Sequence, residues 1–254
     1  SGGVTDLDRG YGGGSLRLSR TLAPALGLDV GVEYESQDEH RRGYVNNDGD
    51  LGDLRRDEDD KVGSTALYAQ LRWDFAADWS LTAGVRGNDV RFESLDHFVT
   101  DTNPDDSGRR TYRKTVPVAG LLWRAGDRVT VYANYGQGFE TPTTTEIAYR
   151  NAGPGLNFDL NPAASTAYEL GVKSLVASGQ RLDVAVFATD THDEIVVDAA
   201  TNGRTTYKNA GDTRRRGVEL EYSGTFAHGV RAHAALAYLD AKFSDALTTG
   251  SPPL

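Results

Sequence analysis

The stretch TALYAQLRWDF, residues 65–75, decides the fold class of this protein. Its residues alternate between two faces. One face carries Thr65, Leu67, Ala69, Leu71, Trp73 and Phe75, and the other carries Ala66, Tyr68, Gln70, Arg72 and Asp74. Because successive side chains of a β-strand point to opposite sides, this pattern predicts a strand with one apolar face and one largely polar face.

The same alternation recurs at residues 26–35, 129–136, 167–173 and 218–223. No long stretch has apolar residues at the three-and-four spacing of an amphipathic helix. We therefore predict an all-β protein of about ten antiparallel strands. These are expected at residues 13–21, 26–40, 62–75, 79–97, 111–124, 128–139, 165–178, 181–197, 204–223 and 229–243.

The joins between the predicted strands alternate between tight and long. The tight joins, residues 22–25, 76–78, 125–127, 179–180 and 225–228, are short enough for hairpin turns. The long ones are residues 41–61, 98–110, 140–164 and 198–203 and the tail after 244. All long joins then lie at one end of the sheet. This is the layout of an up-and-down transmembrane β-barrel with short periplasmic turns and long extracellular loops.

Aromatic residues lie near the tight joins, where such a barrel meets the edge of the membrane. Trp73, Phe75 and Trp79 flank one join, Trp123 precedes another, and Phe226 lies in a third. Aromatic side chains form girdles at the membrane interfaces of β-barrels. We expect these residues to face outward together.

Composition excludes several classes of protein. The 254 residues hold 27 Lys and Arg against 37 Asp and Glu, a net charge of -10, which argues against a nucleic-acid partner. Cysteine is absent, so disulfides and Cys-ligated metals are excluded. No run of apolar residues is long enough for a transmembrane helix. Methionine is also absent and the sequence starts at Ser1, so we expect a processed chain or a fragment.

Three motifs resemble those of TonB-dependent outer-membrane receptors. They are YANYGQGFETP at residues 132–142, LNPAASTAYELGVK at 160–173, and YKNAG at 207–211 followed by RGVELE at 216–221. Two positions depart from the family pattern. Glu140 stands where the family often has Arg, and Ala163 where it often has Glu. The motifs occur in the family's order and spacing, so the resemblance is specific over roughly residues 129–221.

The resemblance implies a fold and a function. Residues 1–254 are expected to form a single segment of barrel wall, part of a larger barrel of about 22 strands. The family's plug domain and the C-terminal closing strands are expected to lie outside this chain. The implied function is import of a scarce metal chelate, above all a ferric siderophore, which binds at extracellular loops. The coupling protein TonB would gate the plug. No enzyme activity and no cofactor are expected, and the partners include outer-membrane lipid and lipopolysaccharide.

Candidate ligand contacts lie in the predicted extracellular loops. Tyr149, Arg150, Asn151 and Phe158 offer aromatic and cationic groups. A second cluster contains Arg214, Arg215 and Arg216. Arginine suits anionic chelates because its planar guanidinium binds carboxylates with two hydrogen bonds. The second cluster could instead face lipopolysaccharide phosphate, and ordinary loop solubility explains either set equally well.

An acidic loop is predicted at residues 46–60. Asp48, Asp50 and Asp53 are weak candidates for Ca²⁺ ligands, because hard cations prefer several carboxylate oxygens. A solvated loop is the simpler interpretation, since blocks of like charge usually stay in water. Family members that take haem tend to carry a His between the first two motifs, and none stands there. The resemblance therefore favours siderophores over haem.

Two other classes of protein remain open. A closed ten-stranded barrel enzyme of protease or lipase type would need a nucleophile or a paired His, for which Asp190, His192 and Asp193 are the best candidates. A soluble β-sandwich that binds carbohydrate would bury its apolar faces between two sheets. The direction of the apolar faces discriminates among these alternatives. A polar inner wall is expected at Gln70, Arg72, Arg86, Asn88, Glu169, Lys173, Glu219 and Glu221.

Overall fold

The computed structural model describes residues 3–150, 156–201 and 204–244. Its elements are β1 (Val4–Ala23), β2 (Leu26–Asn47), β3 (Asp50–Ala76), β4 (Trp79–Asp96), β5 (Gly108–Arg124), β6 (Val129–Glu140), α1 (Thr144–Ile147), β7 (Ala163–Ala177), β8 (Gln180–His192), β9 (Ile195–Thr201), β10 (Arg204–Asn209), β11 (Thr213–Thr225), a 3₁₀ turn (Ala227–Gly229) and β12 (Arg231–Phe243). In these ranges no helix is long and apolar enough to cross a membrane.

Ten of the strands form one antiparallel sheet in the order β1-β2-β3-β4-β5-β6-β7-β8-β11-β12. Each strand thus pairs with its neighbour along the chain, except that β9 and β10 form a separate hairpin between β8 and β11. The prediction of an all-β, up-and-down wall is confirmed. In the described ranges no ladder joins β1 to β12, so these residues do not form the closed ten-stranded barrel of the enzyme alternative.

The two faces of the sheet differ in what they expose. On β3, Leu67 is 63% exposed while its neighbour Ala66 is 2% exposed. We call the face with Leu67 the outer face and the face with Ala66 the inner face. By strand alternation, the outer face also exposes Leu16, Leu18, Val85, Leu121, Trp123, Leu170, Val172, Val186, Val218, Leu236 and Tyr238. A sandwich would pack such a face against a second sheet, so the β-sandwich alternative is excluded.

The predicted aromatic girdle is present at the tight-turn end of the outer face. The ring centroids of Trp73 and Phe75 lie 5.4 Å apart, and those of Phe75 and Trp79 lie 6.2 Å apart. Trp79 stacks on Trp123 of the neighbouring strand at 5.4 Å. The tight-turn edge of the apolar band is therefore marked by a continuous row of rings.

The predicted long loop at residues 41–61 is wrong, because β2 and β3 continue through it to a two-residue turn. Asp48 and Gly49 have φ angles of 55° and 110°, as a tight hairpin turn requires. The Asn46 side-chain oxygen accepts a hydrogen bond from the Gly49 amide at 2.8 Å. The acidic stretch is therefore mostly strand.

The predicted strands at residues 181–197 and 204–223 are each broken in two. Asp193 has a φ of 57° and ends the run of β8, and the chain then leaves the wall as the β9–β10 hairpin. It rejoins the sheet at Thr213. Both breaks fall at runs of polar or turn-forming residues, HDE at 192–194 and NAGD at 209–212.

The wall opens between β5 and β6 at the long-loop end. These strands pair only from Arg124 opposite Thr130 to Val118 opposite Gly136. The β4–β5 ladder, in contrast, continues up to Gly108. The chain that follows is described at residues 141–150 and 156–162, and these two legs, which we call the inserted loop, pack against the inner face beside this split. Buried Ile147 and Leu160 of the loop join Phe92 and Tyr112 of the wall in one apolar cluster.

Candidate functional site

The inserted loop begins with a capped single turn of helix. Pro142 is fully buried, and the backbone amide of Thr143 donates to the Glu146 carboxylate at 2.7 Å. The Thr143 hydroxyl accepts from the Glu146 amide in return, which completes a capping box. The local sequence therefore fixes how the chain turns from β6 onto the inner face.

Apolar packing fastens the loop to the wall. The rings of Phe92 and Tyr112 meet edge to face at 5.8 Å, and Ile147, Leu160 and Phe158 pack against them. The Tyr112 hydroxyl donates to the Leu160 carbonyl at 3.0 Å. A buried hydroxyl is thus satisfied by a backbone group of the loop.

Two of the motifs noted in the sequence bind each other. The side-chain oxygen of Asn209 accepts from the Asn161 amide at 2.8 Å, and its nitrogen donates to the Asn161 carbonyl at 2.9 Å. Asn157 donates to the Tyr207 carbonyl at 2.9 Å. The inserted loop is therefore tied to the β9–β10 hairpin. Sequence reasoning missed Asn209 as a site residue, although the YKNAG motif carries it.

A buried ion pair lies next to the loop on the inner face of β3, beyond the apolar band. Glu58 is 5% exposed, and its Oε2 accepts from Arg56 Nε at 2.6 Å. Arg56 in turn lies over the Tyr149 ring, 5.0 Å from its centroid. Burial raises the pKa of Glu58 to about 7, although Arg56 opposes this shift. Glu58 Oε1 has no hydrogen-bond partner.

The neighbouring acids Asp57 and Asp59 lie on the opposite, outer face. On the outer face, Asp59 lies 2.6 Å from His40 Nδ1 and 2.9 Å from His97 Nε2. These hydrogen bonds hold the pKa of Asp59 below its usual value, and the bond with His40 has the larger effect. Asp57 also contacts His40, at 3.2 Å. The acidic run is thus divided between the two faces and has basic partners on each.

The candidate ligand contacts of the inserted loop are engaged within the protein. Arg150 Nε donates to the Leu156 carbonyl at 2.8 Å, and its guanidinium lies 3.1 Å from the Asp159 carboxylate. Tyr149 lies under Arg56, and Phe158 packs in the apolar cluster. Asn151 lies outside the described residues.

The structure separates Arg214 and Arg215 of the second cluster, because adjacent residues of a strand point to opposite faces. Arg214 lies on the outer face, 2.7 Å from Asp190. Arg215 lies on the inner face, 2.5 Å from the Glu194 carboxylate, and this contact lowers the pKa of Glu194. Arg215 lines a cavity of about 490 Å³ under the inserted loop. Arg214 therefore does not share the inner face with Arg215.

The remaining candidates do not converge on a site. Asp48, Asp50 and Asp53 are exposed along the β2–β3 hairpin. Among the residues with described positions, no three carboxylates or imidazoles are grouped to hold a metal ion. The candidate catalytic residues of the enzyme alternative also have other partners. Asp190 binds Arg214, while His192 contacts Asp212 at 2.8 Å.

A polar wall covers the inner face below the loop, as the alternation predicts. A second cavity there, of about 770 Å³, spans several strands. Its charged lining residues are Arg72, Arg124, Glu169 and Lys173. The inner face is therefore concave and hydrophilic, opposite to an apolar outer face.

Comparison with known proteins agrees with this architecture. The family described as "TonB dependent receptor-like, beta-barrel" matches residues 2–254. The metal-pseudopaline receptor CntO of Pseudomonas aeruginosa is 29% identical over 72% of this chain and 25% of its own length. The ferrioxamine B receptor of Salmonella typhimurium is 25% identical over 94% of this chain and 35% of its own. This chain thus spans only about a quarter to a third of these relatives.

A solved structure shows the same fold. The copper transporter OprC superimposes with a TM-score of 0.80 at 19% identity, covering 94% of this chain and 39% of that one. The apolar outer face, the polar inner face and the family match over nearly every residue lead to one conclusion. The chain belongs to the TonB-dependent receptor family and forms part of a β-barrel wall in the bacterial outer membrane.

Proposed function

We propose that this chain is part of a receptor that imports a metal chelate, namely a ferric siderophore, across the outer membrane. The observation that carries the proposal is the inserted loop, which is anchored over a polar inner face in a wall whose outer face is apolar. The names of the relatives, a metal-pseudopaline receptor and a ferrioxamine B receptor, support the same class of cargo.

The chelate is proposed to bind at the long-loop end of the inner face. Arg150 and Tyr149 lie on the inserted loop, and Arg215 lines the cavity beneath it. Both arginines are bound to carboxylates, Asp159 and Glu194, which an anionic chelate can displace without leaving the guanidinium unpaired. Phe158 supports the loop by packing in the apolar cluster.

The outer face suggests a different role for Arg214. It lies beyond the apolar band and pairs with Asp190, at a level where lipid headgroups meet the wall. We assign it to lipopolysaccharide phosphate. Ca²⁺ binding by Asp48, Asp50 and Asp53 is not part of the proposal.

Import is proposed to require the family's plug and the coupling protein TonB, with no covalent chemistry. The free edges of β1 and β12 would pair with further strands of a larger wall. Because the named relatives are receptors, we assign transport and no catalytic step to this chain.

Growth on single iron sources tests the proposal. Deletion of the gene should abolish growth on one ferric chelate, and restoring the gene should restore it. Arg215→Ala should reduce uptake of that chelate about tenfold, the loss expected for one charged hydrogen bond. Arg214→Ala, the neighbouring outward arginine, is the matched control and should leave uptake unchanged.

Two results would contradict the proposal in different ways. Unchanged uptake of every ferric chelate after deletion would end the assignment of a siderophore. Equal losses for Arg214→Ala and Arg215→Ala would leave the cargo in place but refute the binding site.

A further inference from the structure

We infer that Asn209 is a positioning residue that fixes the inserted loop relative to the β9–β10 hairpin, and so sets the separation of the two proposed chelate contacts, Arg150 and Arg215. This inference rests on the proposed function only for its effect on ligand binding. Its effect on the loop follows from contacts within the chain.

The side-chain amide of Asn209 makes hydrogen bonds with both its oxygen and its nitrogen. Its oxygen accepts from the Asn161 amide at 2.8 Å, and its nitrogen donates to two carbonyls, Asn161 at 2.9 Å and Asp193 at 2.7 Å. Only a side-chain amide offers an acceptor and two donors at this length. Asp lacks the donors, and Gln places the same groups one methylene too far.

One arm of this contact leads to Arg150. Asn161 lies near the end of the second leg of the inserted loop, residues 156–162. Asn157 of the same leg donates its backbone amide to the Ile147 carbonyl at 2.7 Å. Arg150 donates to Leu156, the first described residue of that leg. A shift of the second leg is therefore transmitted to the guanidinium of Arg150.

The other arm leads to Arg215. Asp193 precedes Glu194, whose backbone carbonyl accepts from the Ala210 amide at 2.7 Å. The Glu194 carboxylate holds Arg215 at 2.5 Å and also accepts from Thr213. Asn209 thus lies between the two chains of contacts that end at the two arginines.

The first experiment measures the loop without any ligand. Because these 254 residues contain no cysteine, Thr145→Cys on α1 and Thr115→Cys on the outer face of β5 place one spin label on the loop and one on the wall. In the full receptor the label-to-label distance distribution should be narrow. Asn209→Ala and Asn209→Asp should both broaden it, and Asn47→Ala, an exposed asparagine at a hairpin end, should not.

The second experiment measures binding, with ferric citrate as an anionic probe. Asn209→Ala should weaken its binding about tenfold, the effect of losing one to two hydrogen bonds that position the loop, with the melting temperature of the barrel unchanged. A narrow label distribution in Asn209→Ala would overturn the inference. Broadening of the label distances without any binding to the wild-type protein would instead count against the proposed cargo, and leave the positioning role intact.

Discussion

The two halves of strand β3 face different solvents and are built by different rules. Residues 65–75 present an apolar outer face that needs no partner, because lipid tails cover it. Residues 57–60 are all acidic, and they alternate between faces just as the apolar half does. Each face of the acidic half instead has its own basic partners, His40 and His97 outside and Arg56 inside.

The difference shows how one strand can continue from membrane into water. In the apolar half, stability comes from an apolar outer face in contact with lipid, so a single charge on that face is costly. In the acidic half, stability comes from pairs within and between strands, so charges are tolerated when a partner of opposite sign lies beside them. The predictions below test this division.

The largest effect is expected from a charge in the apolar half. Leu67→Arg places a cation on the outer face near the middle of the band, and should lower the free energy of unfolding by about 3 kcal/mol, as measured by urea titration in lipid vesicles. Leu95→Arg, on the outer face opposite Asp59, is the control and should change it by less than about 0.5 kcal/mol. Equal losses would mean that the band does not end between these positions.

The next effect is a pH dependence in the charged half. Burial raises the pKa of Glu58 to about 7. The docked position of the inserted loop is therefore more stable when Glu58 is protonated. Its contribution is complete below about pH 4.5 and is lost as the pH rises through 7, up to about 3 kcal/mol. Spin-label distances between the loop and the wall should therefore broaden between pH 5 and pH 8.

Two variants separate Glu58 from other groups that face it, which are Arg41, Arg56, Asp60 and Asp96. Glu58→Gln should keep the loop docked across the whole range, since the amide carries no charge to bury. Asp53→Asn, an exposed neighbour, should behave as the wild type. Persistent pH dependence in Glu58→Gln would assign the titration to another group.

A smaller effect is expected where glycine meets an aromatic ring on the inner face of the apolar half. Tyr68 lies across Gly31 of the adjacent strand, in the space that a Cβ would fill. Gly31→Ala should cost about 1 kcal/mol, because the ring must move. Gly27→Ala is the matched control, since it has open space around its Cβ position. A cost at Gly27 as large as at Gly31 would attribute the effect to the backbone.

The smallest effect is expected at His97. Its hydrogen bond to Asp59 raises its pKa, so its stabilising contribution is present below about pH 6.5 and fades as the pH rises through the raised value. His97→Gln should therefore lower the melting temperature slightly at pH 5.5 and not at pH 9. A loss at pH 9 as large as that at pH 5.5 would show that packing, and not charge, is the cause.

The apolar half of β3 could be predicted from sequence and the acidic half could not. Period-two alternation is a local signal, and it correctly gave residues 65–75 and their aromatic edge. A run of like charges favours a solvated loop, and the sequence does not show that His97, from a distant part of the chain, lies beside Asp59. The break at Asp193 is also not predicted, because it depends on one positive φ inside the predicted strand.

The site shows the same limit. Alternation alone places Arg214 and Arg215 on opposite faces, so their separation was available from the sequence. The role of Asn209 was not, because its partner Asn161 lies 48 residues earlier and is contacted through the backbone. Residues that act through backbone groups of a distant segment leave no local pattern.

The way the inserted loop is anchored has an evolutionary consequence. Tyr112, Asn157 and Asn209 each bind a main-chain group of their partner segment. Every amino acid supplies a main-chain carbonyl, so mutations can replace most exposed side chains of the loop without removing its anchors. A lineage can therefore change what the loop displays to the outside while inheriting the same attachment to the wall.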